Sequence, residues 1–493
     1  IELTFIINSV TCVPFIDQYE GTQVTEFMMN VNSMLAWFPA KSRENVIEKY
    51  LHIKNKGIEL SDAAKIVETT YDIFINKGLD MYKIWTERLR QKSISPWFSI
   101  RMNDIHNNDE ENHFLHSDFF SKNKYMRRAS HRTNCSYYDN ALDYSYNEVR
   151  EHYISLIHEV IERYDFDGLE LDWMREVFCF GIGRELEGTA IITDFMRQIR
   201  AMLDSAEKTK KHKIKLGVRT PYSPEVALRF GMDVINWAKE GLVDLVVPTP
   251  RWTTIDNDMP IDLWKRVLDG TGVILGAGLE ILIEAARTPQ KIWMFNSVET
   301  ARGSAAAYLG MGADRIYLFN YMDNPSSGYY DPRMEGSAVD PNIYNELLTT
   351  VGDLETARKL PRRHVVTYHD ITAPGVRSGN VLPIKCLPPL LNQNPGFYDI
   401  RIATGPIDDT VNVKLVLGIN SEVELKQSDL VVYINSMECE MVGIVNVPKP
   451  SPECRMYSFN VSNSKKLTQA SIIEVASLKN QFNIEWVEID VGR

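Results

Sequence analysis

Apolar positions along the first two thirds of the chain follow two alternating patterns. Short, nearly continuous apolar segments, typical of buried strands, are separated by longer stretches in which apolar residues recur every three or four positions. The helical pattern is clear from Val149 to Tyr164, and Gly241 and Gly312 follow two other such stretches, where a left-handed residue ends a helix. The strand-like segments cover residues 1–9, 25–31, 95–102, 166–174, 213–220, 242–250, 272–278 and 314–322.

Eight strands that alternate with helices indicate a particular architecture, because parallel strands need helical crossovers between them. We predict a (β/α)8 TIM barrel over residues 1–355. Beyond it the sequence has frequent turn signals, and segments 411–419, 429–435 and 482–491 alternate apolar and polar residues with period two. These features predict a C-terminal β-sandwich domain over residues 356–493, which gives a two-domain protein of the α/β class.

Composition and charge exclude several classes of protein. With 44% hydrophobic and 24% charged residues among 493, the chain is neither disordered nor fibrous. Its formal net charge of −12 has the wrong sign for a nucleic-acid partner or an anionic membrane surface, so we expect neither. No apolar run reaches the roughly 18 residues that a membrane span requires, so we predict no span.

The six cysteines show no metal or disulfide pattern. Neither C-x-x-C nor a paired Cys and His spacing occurs, so we expect mostly buried thiols in a reducing compartment, no metal site and no cofactor. The chain opens Ile-Glu-Leu without a methionine, which leaves a leader segment open, and with it the choice between bacterial cytoplasm and periplasm or exterior. A homodimer is left open as well.

Polar and aromatic side chains concentrate where the predicted strands end. In TIM barrels, the carboxyl ends of the strands and the loops after them build the active site. The candidates that follow from this rule are Arg101, Asp104 and His106 after the third strand, Glu170, Asp172 and Arg175 at the fourth, Arg219 at the fifth, Trp252 after the sixth, and Asn320 and Tyr321 at the eighth.

Side-chain alternation orients the fourth strand. Leu169, Leu171 and Trp173 share one face, which we expect to pack against helices. Glu170 and Asp172 then point into the barrel. Two buried carboxylates are costly unless they are paired or used in chemistry, so they form a candidate acid and base pair.

Arginines occur at the ends of three neighbouring strands, as Arg101, Arg175 and Arg219. Strands about 4.8 Å apart place these guanidinium groups within roughly 10–15 Å of one another. Two interpretations are open: the arginines neutralise Glu170 and Asp172 in a buried network, or at least two of them bind a substrate carboxylate bidentately. Their clustering favours the second interpretation. We therefore expect Arg219→Ala to lose activity while its melting temperature changes by only a few degrees.

His106 lies two residues after Asp104, in a loop that opens over the barrel mouth. A carboxylate beside a histidine fixes its tautomer and raises its basicity, so we assign proton transfer in either half of the reaction to His106, oriented by a carboxylate such as Asp104. Trp252 and Tyr321 are candidates for stacking on a sugar ring, although aromatic residues at a barrel rim also serve in plain packing.

The segment YDFDGLELDWMRE resembles the fourth-strand signature of carbohydrate-active barrels. It is superficially close to the chitinase pattern D-G-x-D-x-D-x-E, but Met174 stands at the general-acid position and Glu170 replaces an aspartate. The combination of SIRMNDIH, DGLELDWMR, GVRTPY and LFNYM resembles instead the inverting exo-sialidases of glycoside hydrolase family 156. This resemblance covers the barrel and is carried by the spacing of Arg101, His106, Arg175, Arg219 and Asn320.

The resemblance implies a role for each matching residue. Arg175, Arg219 and Asn320 would contact the carboxylate region of a sialic acid. Arg101 would line the pocket, and His106 would be catalytic.

The resemblance also implies a function, the release of terminal sialic acid from sialylated or other acidic glycans by an inverting single displacement. The family uses an acidic residue after the first strand, for which Asp17 is the nearest acid here. Two alternatives remain open. One is a barrel glycosidase for a neutral or uronic sugar that uses Glu170 and Asp172 as its carboxylate pair. The other is a non-catalytic carbohydrate-binding barrel.

Overall fold

The computed structural model shows a mixed α/β protein, with a parallel seven-stranded sheet and helices followed by antiparallel sheets. This confirms the predicted fold class. The predicted strand at residues 1–9 lies outside the described residues. The structure describes residues 12–57, 65–110, 113–251, 255, 258–285, 294–321, 341–367, 371–376, 381–408, 411–462 and 467–492.

Seven of the eight predicted barrel strands are present in the parallel sheet. The strands of the first part of the chain are β1 Glu26–Asn30, β2 Ser95–Arg101, β3 Gly168–Asp172, β4 Lys215–Pro221, β5 Leu245–Thr249, β6 Ile274–Leu279, β7 Leu282–Ile283, β8 Met294–Phe295 and β9 Arg315–Leu318. Their order in the sheet is β1-β2-β3-β4-β5-β6-β9, while β7 and β8 form a separate antiparallel pair. Each strand lies beside the preceding one in this series, as expected of successive βα units.

Helices connect the strands. They are α1 Cys12–Asp17, α2 Val46–Asn55, α3 Lys65–Tyr71, α4 Met81–Gln91, α5 Asp118–Lys122, α6 Asn147–Arg163, α7 Glu185–Lys210, α8 Pro224–Arg229, α9 Val234–Lys239, α10 Ile261–Val267, α11 Val298–Gly310, α12 Pro341–Thr350 and α13 Leu354–Lys359. Local sequence sets several of the boundaries. The Ser223 side chain accepts a hydrogen bond from Val226 N at the start of α8, and Ser297 does the same for Thr300 N in α11. Gly241, just beyond α9, has a φ of 70°, which ends the helix as predicted.

The two faces of the parallel sheet differ in character. On one face, Trp173 lies 6.0 Å from Phe195 of α7, and Phe98 stacks on Tyr164 with ring centroids 4.9 Å apart. This confirms that the face with Leu169 and Leu171 packs against helices. The opposite face carries the polar side chains in two registered rows, Ser99–Glu170–Gly217 and, one level nearer the carboxyl ends, Arg101–Asp172–Arg219.

Below these rows, the Trp97 indole lies across the two neighbouring strands. A Cβ atom at Gly168 would overlap the indole, and a Cβ at Gly217 would lie 3.0 Å from its Cζ3 atom. Position 168 therefore needs glycine because of this close approach, and a side chain at position 217 would be tightly packed against the indole.

The C-terminal part contains two antiparallel sheets. Its strands are β10 Arg362–Val365, β11 Ile384–Cys386, β12 Tyr398–Ala403, β13 Val413–Asn420, β14 Leu430–Ile434, β15 Met437–Glu438, β16 Glu440–Ile444, β17 Cys454–Asn460, β18 Ala470–Ser477 and β19 Phe482–Val491. One sheet has the order β10-β19-β13-β17-β16, with β11 also paired to β19, and the other has the order β12-β18-β14-β15. Inward residues of both sheets, among them Ile400, Leu415 and Ile473, form one apolar core, which is consistent with the predicted sandwich.

The chain divides into two compact units. One comprises residues 1–248, 266–275 and 373–375, and the other comprises 249–265, 276–372 and 376–493. A domain boundary at residues 355 and 356 stays a prediction. In the part of the chain that the structure describes, no helix is long and apolar enough to cross a membrane. The thiols of Cys179, Cys386, Cys439 and Cys454 are buried, and that of Cys135 is exposed.

Candidate active site

The loop after β2 joins three of the predicted residues in one chain of contacts. Asp104 is fully buried and accepts on both carboxylate oxygens. Arg101 Nη1 lies 3.1 Å from Oδ2, and His106 Nδ1 lies 2.6 Å from Oδ1. The backbone N–H of His106 also donates to Oδ1, at 3.1 Å. The His106 side chain is 23% exposed, whereas that of Arg101 is 7% exposed. Of these three residues, His106 is therefore the one whose side chain solutes can reach.

A second group of contacts lies on β3 and β4. Arg219 Nη1 donates to Asp172 Oδ2 at 2.9 Å, and both side chains are at most 2% exposed. The other oxygen of Asp172 accepts the backbone N–H of Met174 at 2.9 Å. Glu170, one level lower, accepts from the Ser99 hydroxyl at 2.7 Å. Both carboxylates are thus committed to partners inside the protein.

Two asparagines that the sequence did not single out hold the strand ends together. Asn32 donates to Arg101 O and accepts from Arg101 N, so it fixes the end of β2. Asn103 exchanges backbone hydrogen bonds with Arg175 O at 2.6 Å and Glu176 N at 2.8 Å. The Asn103 amide also donates to Leu142 O and Phe178 O. The peptide between Arg175 and Glu176 is cis.

The charges at the end of β2 act on one another. Burial favours the neutral form of Asp104, but His106 and then Arg101 and Arg175 outweigh it and hold the pKa of that carboxyl well below its usual range. For His106 the balance is the opposite. Burial lowers the pKa of the imidazole, Asp104 opposes that change, and Arg175 and Arg101 add to it. Burial likewise lowers the pKa of Arg101 to about 10.

This arrangement gives His106 a defined chemical state. Asp104 stays ionised and accepts at Nδ1, so the neutral imidazole carries its proton on Nδ1 and presents a bare Nε2. Because the pKa of His106 lies below its ordinary value, the ring is neutral at pH 7 and can take a proton from a bound water. His106 is therefore equipped to act as a general base.

The arginines divide between the two interpretations. Arg101 and Arg219 are each in an ion pair with a buried carboxylate of the chain, which supports the network interpretation for these two. The expectation that Arg219→Ala changes the melting temperature by only a few degrees assumed a site open to water around Arg219, whereas this side chain is 1% exposed. Arg175 is 4% exposed, and its charge acts on Asp104, His106 and Arg101, so it belongs to the same cluster.

The remaining predicted site residues are Tyr321, Asn320 and Trp252. Tyr321 is 5% exposed, and its hydroxyl donates to Glu280 O at 2.9 Å and accepts from Asn296. Asn320, with a φ of 61°, belongs with Tyr321 to the second compact unit. Trp252 lies outside the described residues.

Asp17 forms an ion pair with Arg88 of α4, at 2.6 Å. It stands at the carboxyl end of α1, on the segment that leads into the start of β1. The start of a strand is the end opposite the predicted site, so Asp17 does not supply the acid expected after the first strand.

No protein-family model matches the chain, and no curated protein matches it. Solved structures of carbohydrate-active enzymes do align with it at low identity. A cycloisomaltooligosaccharide glucanotransferase from Paenibacillus sp. is 8% identical over 83% of this chain, which covers 47% of that enzyme, with a TM-score of 0.29.

Two further structures are chitinases. A family 18 glycoside hydrolase chitinase from Chromobacterium violaceum is 9% identical over 83% of this chain and 79% of its own, with a TM-score of 0.30. A chitinase from Bacillus thuringiensis is 9% identical over 82% of each chain, with a TM-score of 0.33. In the described ranges, no three His, Cys, Asp or Glu side chains are grouped so as to hold a metal ion.

Proposed function

We propose that the protein is an exo-acting glycoside hydrolase that releases terminal sialic acid, or a closely related acidic sugar, with inversion. The observation that carries the proposal is the His106–Asp104 pair at the carboxyl end of β2. The His106 ring lies 2.6 Å from the Asp104 carboxylate and is partly exposed. Buried guanidinium groups lie beside this pair. This is a proton-transfer group set in cationic surroundings, as hydrolysis of an anionic glycoside requires.

His106 acts as the general base in this proposal. Inverting hydrolysis places an activated water on one face of the sugar and the leaving oxygen on the other. The water gives its proton to Nε2 of His106 while its oxygen bonds to the anomeric carbon. The electron pair of the broken glycosidic bond leaves on the aglycone oxygen, which takes up a proton from solvent. Asp104 stabilises the imidazolium that forms, since its carboxylate already accepts the Nδ1 proton.

Arg175 is the residue that we assign to the substrate carboxylate. The positive charge of Arg175 acts on His106, whose pKa it lowers, so an anionic group bound to this guanidinium would lie close to the base.

A neutral or uronic sugar hydrolase that uses Glu170 and Asp172 receives less support. Asp172 bonds to Arg219 and to a backbone N–H, and Glu170 bonds to Ser99. Glu170 and Asp172 are 0% and 1% exposed, and a general acid or base must reach the substrate within hydrogen-bond distance.

The test is turnover of fluorogenic α-sialosides, with the first-formed anomer identified by NMR. We expect free sialic acid of inverted configuration, and loss of turnover in His106→Ala. His158→Ala serves as the matched control, because His158 lies on α6 with its side chain 59% exposed. Full activity of His106→Ala together with inactivity of Asp172→Asn would favour the carboxylate pair. Binding of acidic glycans without any product would favour a non-catalytic barrel.

A further inference from the structure

The loop that carries His106 also contains a buried histidine, His116, which is 6% exposed. The Nε2 atom of His116 lies 3.3 Å from the carbonyl oxygen of His106 and 3.1 Å from that of Asn107. A carbonyl oxygen only accepts hydrogen bonds, so Nε2 carries a proton and donates to both. One ring therefore holds two consecutive carbonyl groups, the first of which belongs to the proposed base.

These carbonyls lie at a turn that sets the direction of His106. Asn107 has a φ of 55°, in the left-handed region that asparagine tolerates better than most residues. On the other side of His106, its backbone N–H donates to Asp104. The backbone around His106 is thus held from both sides, by Asp104 before the side chain and by His116 after it.

His116 is itself firmly anchored. Its backbone carbonyl accepts from Lys49 Nζ at 3.0 Å, and its ring lies 5.4 Å from that of Phe120. The next residue, Ser117, accepts from Phe120 N and so begins α5. A group anchored in this way can fix a loop, because it has few other conformations available.

We propose that His116 is the positioning residue for His106, which it orients by donating from Nε2 to the carbonyl oxygens of His106 and Asn107. His116 does not contact the substrate in this assignment. The inference rests on the proposed function, because His116 gains its role only through a base at His106.

The charge state of His116 agrees with this role. Burial lowers the pKa of His116, and the charges of His113 and, to a smaller extent, Arg127 lower it further. The hydrogen bonds to the two carbonyl groups oppose this change. The ring is therefore neutral at pH 7, and its single proton stays on Nε2, where the two carbonyls accept it. His116 thus orients the loop without adding a further positive charge near the substrate.

Two variants whose side chains have equal length test the hydrogen-bond donor of His116. In His116→Gln the amide nitrogen replaces Nε2 at a similar distance along the side chain, whereas His116→Met fills similar space and donates nothing. We expect His116→Met to lower kcat by about 10- to 100-fold with little change in KM, because a small misplacement of a catalytic group has effects of that size. His116→Gln should recover most of the loss.

A spectroscopic measurement tests the same point without turnover. With histidines labelled in 15N and 13C, the Nδ1 proton that His106 shares with Asp104 should give a downfield signal in the parent and in His116→Gln. It should be absent in His116→Met. Melting temperatures are recorded for all variants. If His116→Met does not fold, His116→Asn replaces it, since its amide is one bond shorter.

The outcomes separate the two proposals. A parent protein that hydrolyses no sialoside, yet shows the expected difference in the His106 signal, would overturn the proposed function and keep the positioning role. An unchanged His106 signal in His116→Met overturns the positioning role, whatever the turnover. Equal losses in the Gln and Met variants overturn it too, because a donor would then make no difference.

Discussion

Removal of Arg219 should destabilise the protein strongly, because its partner is a buried carboxylate. Asp172 and Arg219 meet at 2.9 Å, and their side chains are 2% and 1% exposed. Truncation to alanine leaves the Asp172 charge without its guanidinium partner in a site that excludes water. Breaking a buried pair from one side costs about 3–5 kcal/mol. At about 2–4 °C for each kcal/mol in a domain of this size, the melting temperature should fall by roughly 6–20 °C.

An exposed ion pair of the same length provides the control. Arg229 and Glu225 also meet at 2.9 Å, but their side chains are 51% and 73% exposed. Exposed pairs contribute about 0–1 kcal/mol, so Arg229→Ala should leave the melting temperature nearly unchanged. The two pairs have the same ion-pair distance and differ strongly in burial.

Calorimetry and urea titration of Arg219→Ala and Arg229→Ala measure the effect. A cycle of four proteins is measured alongside: the parent, Arg219→Met, Asp172→Asn and the double variant. Asparagine retains an oxygen that can accept from Met174 N, so the cycle isolates the contact with Arg219. We expect the double variant to be more stable than the sum of the single losses predicts, since neither charge is then left alone. Additive losses, or an Arg219→Ala protein as stable as Arg229→Ala, would falsify the buried-pair reasoning and restore the expectation of an open site.

Four further predictions follow from contacts described above. The acid limb of kcat/KM should lie below pH 6.5, because burial lowers the pKa of His106. Asp104→Asn should move this limb to still lower pH and reduce kcat, because the Asp104 carboxylate raises the pKa of His106. Stability should also decline as the pH falls below about 6.5, where the unfolded state binds this proton first. Asn103→Ala should lower the free energy of unfolding, measured by urea titration, by about 2–4 kcal/mol. This is more than one hydrogen bond contributes, because the change leaves two buried carbonyl groups without their donor. Tyr321→Phe should reduce the melting temperature, because Glu280 O loses a donor, while the folded enzyme turns over normally; a rise in KM instead would place Tyr321 at the substrate.

Local periodicity was enough to predict the strands and the orientation of β3. A strand repeats every two residues, so Glu170 and Asp172 had to share a face, and the registers with β2 and β4 confirm it. The contact between Asp104 and His106 was equally accessible, because only one residue separates them. Neighbouring strands also predicted that Arg219 and Asp172 lie close together.

What the sequence could not show is how each charge is used. Arg219 next to Asp172 is compatible with a substrate site or an ion pair, and only the 2.9 Å contact with near-complete burial distinguishes them. The partners of Asn103 are 39 and 75 residues away in the chain, so no local pattern reveals them. The role of His116 cannot be recognised from the sequence, because it depends on where two backbone carbonyls point.

The indole beneath the polar rows has a consequence for how this chain can vary. Trp97 occupies the space that side chains at 168 and 217 would need, so the three positions share one fixed volume. A relative with a small residue at 97 can carry alanine at 168, whereas one with tryptophan cannot, and the positions should therefore covary among homologues. For an engineer who wants a deeper site, position 97 is the place to begin, because the arginines and carboxylates above it can stay as they are.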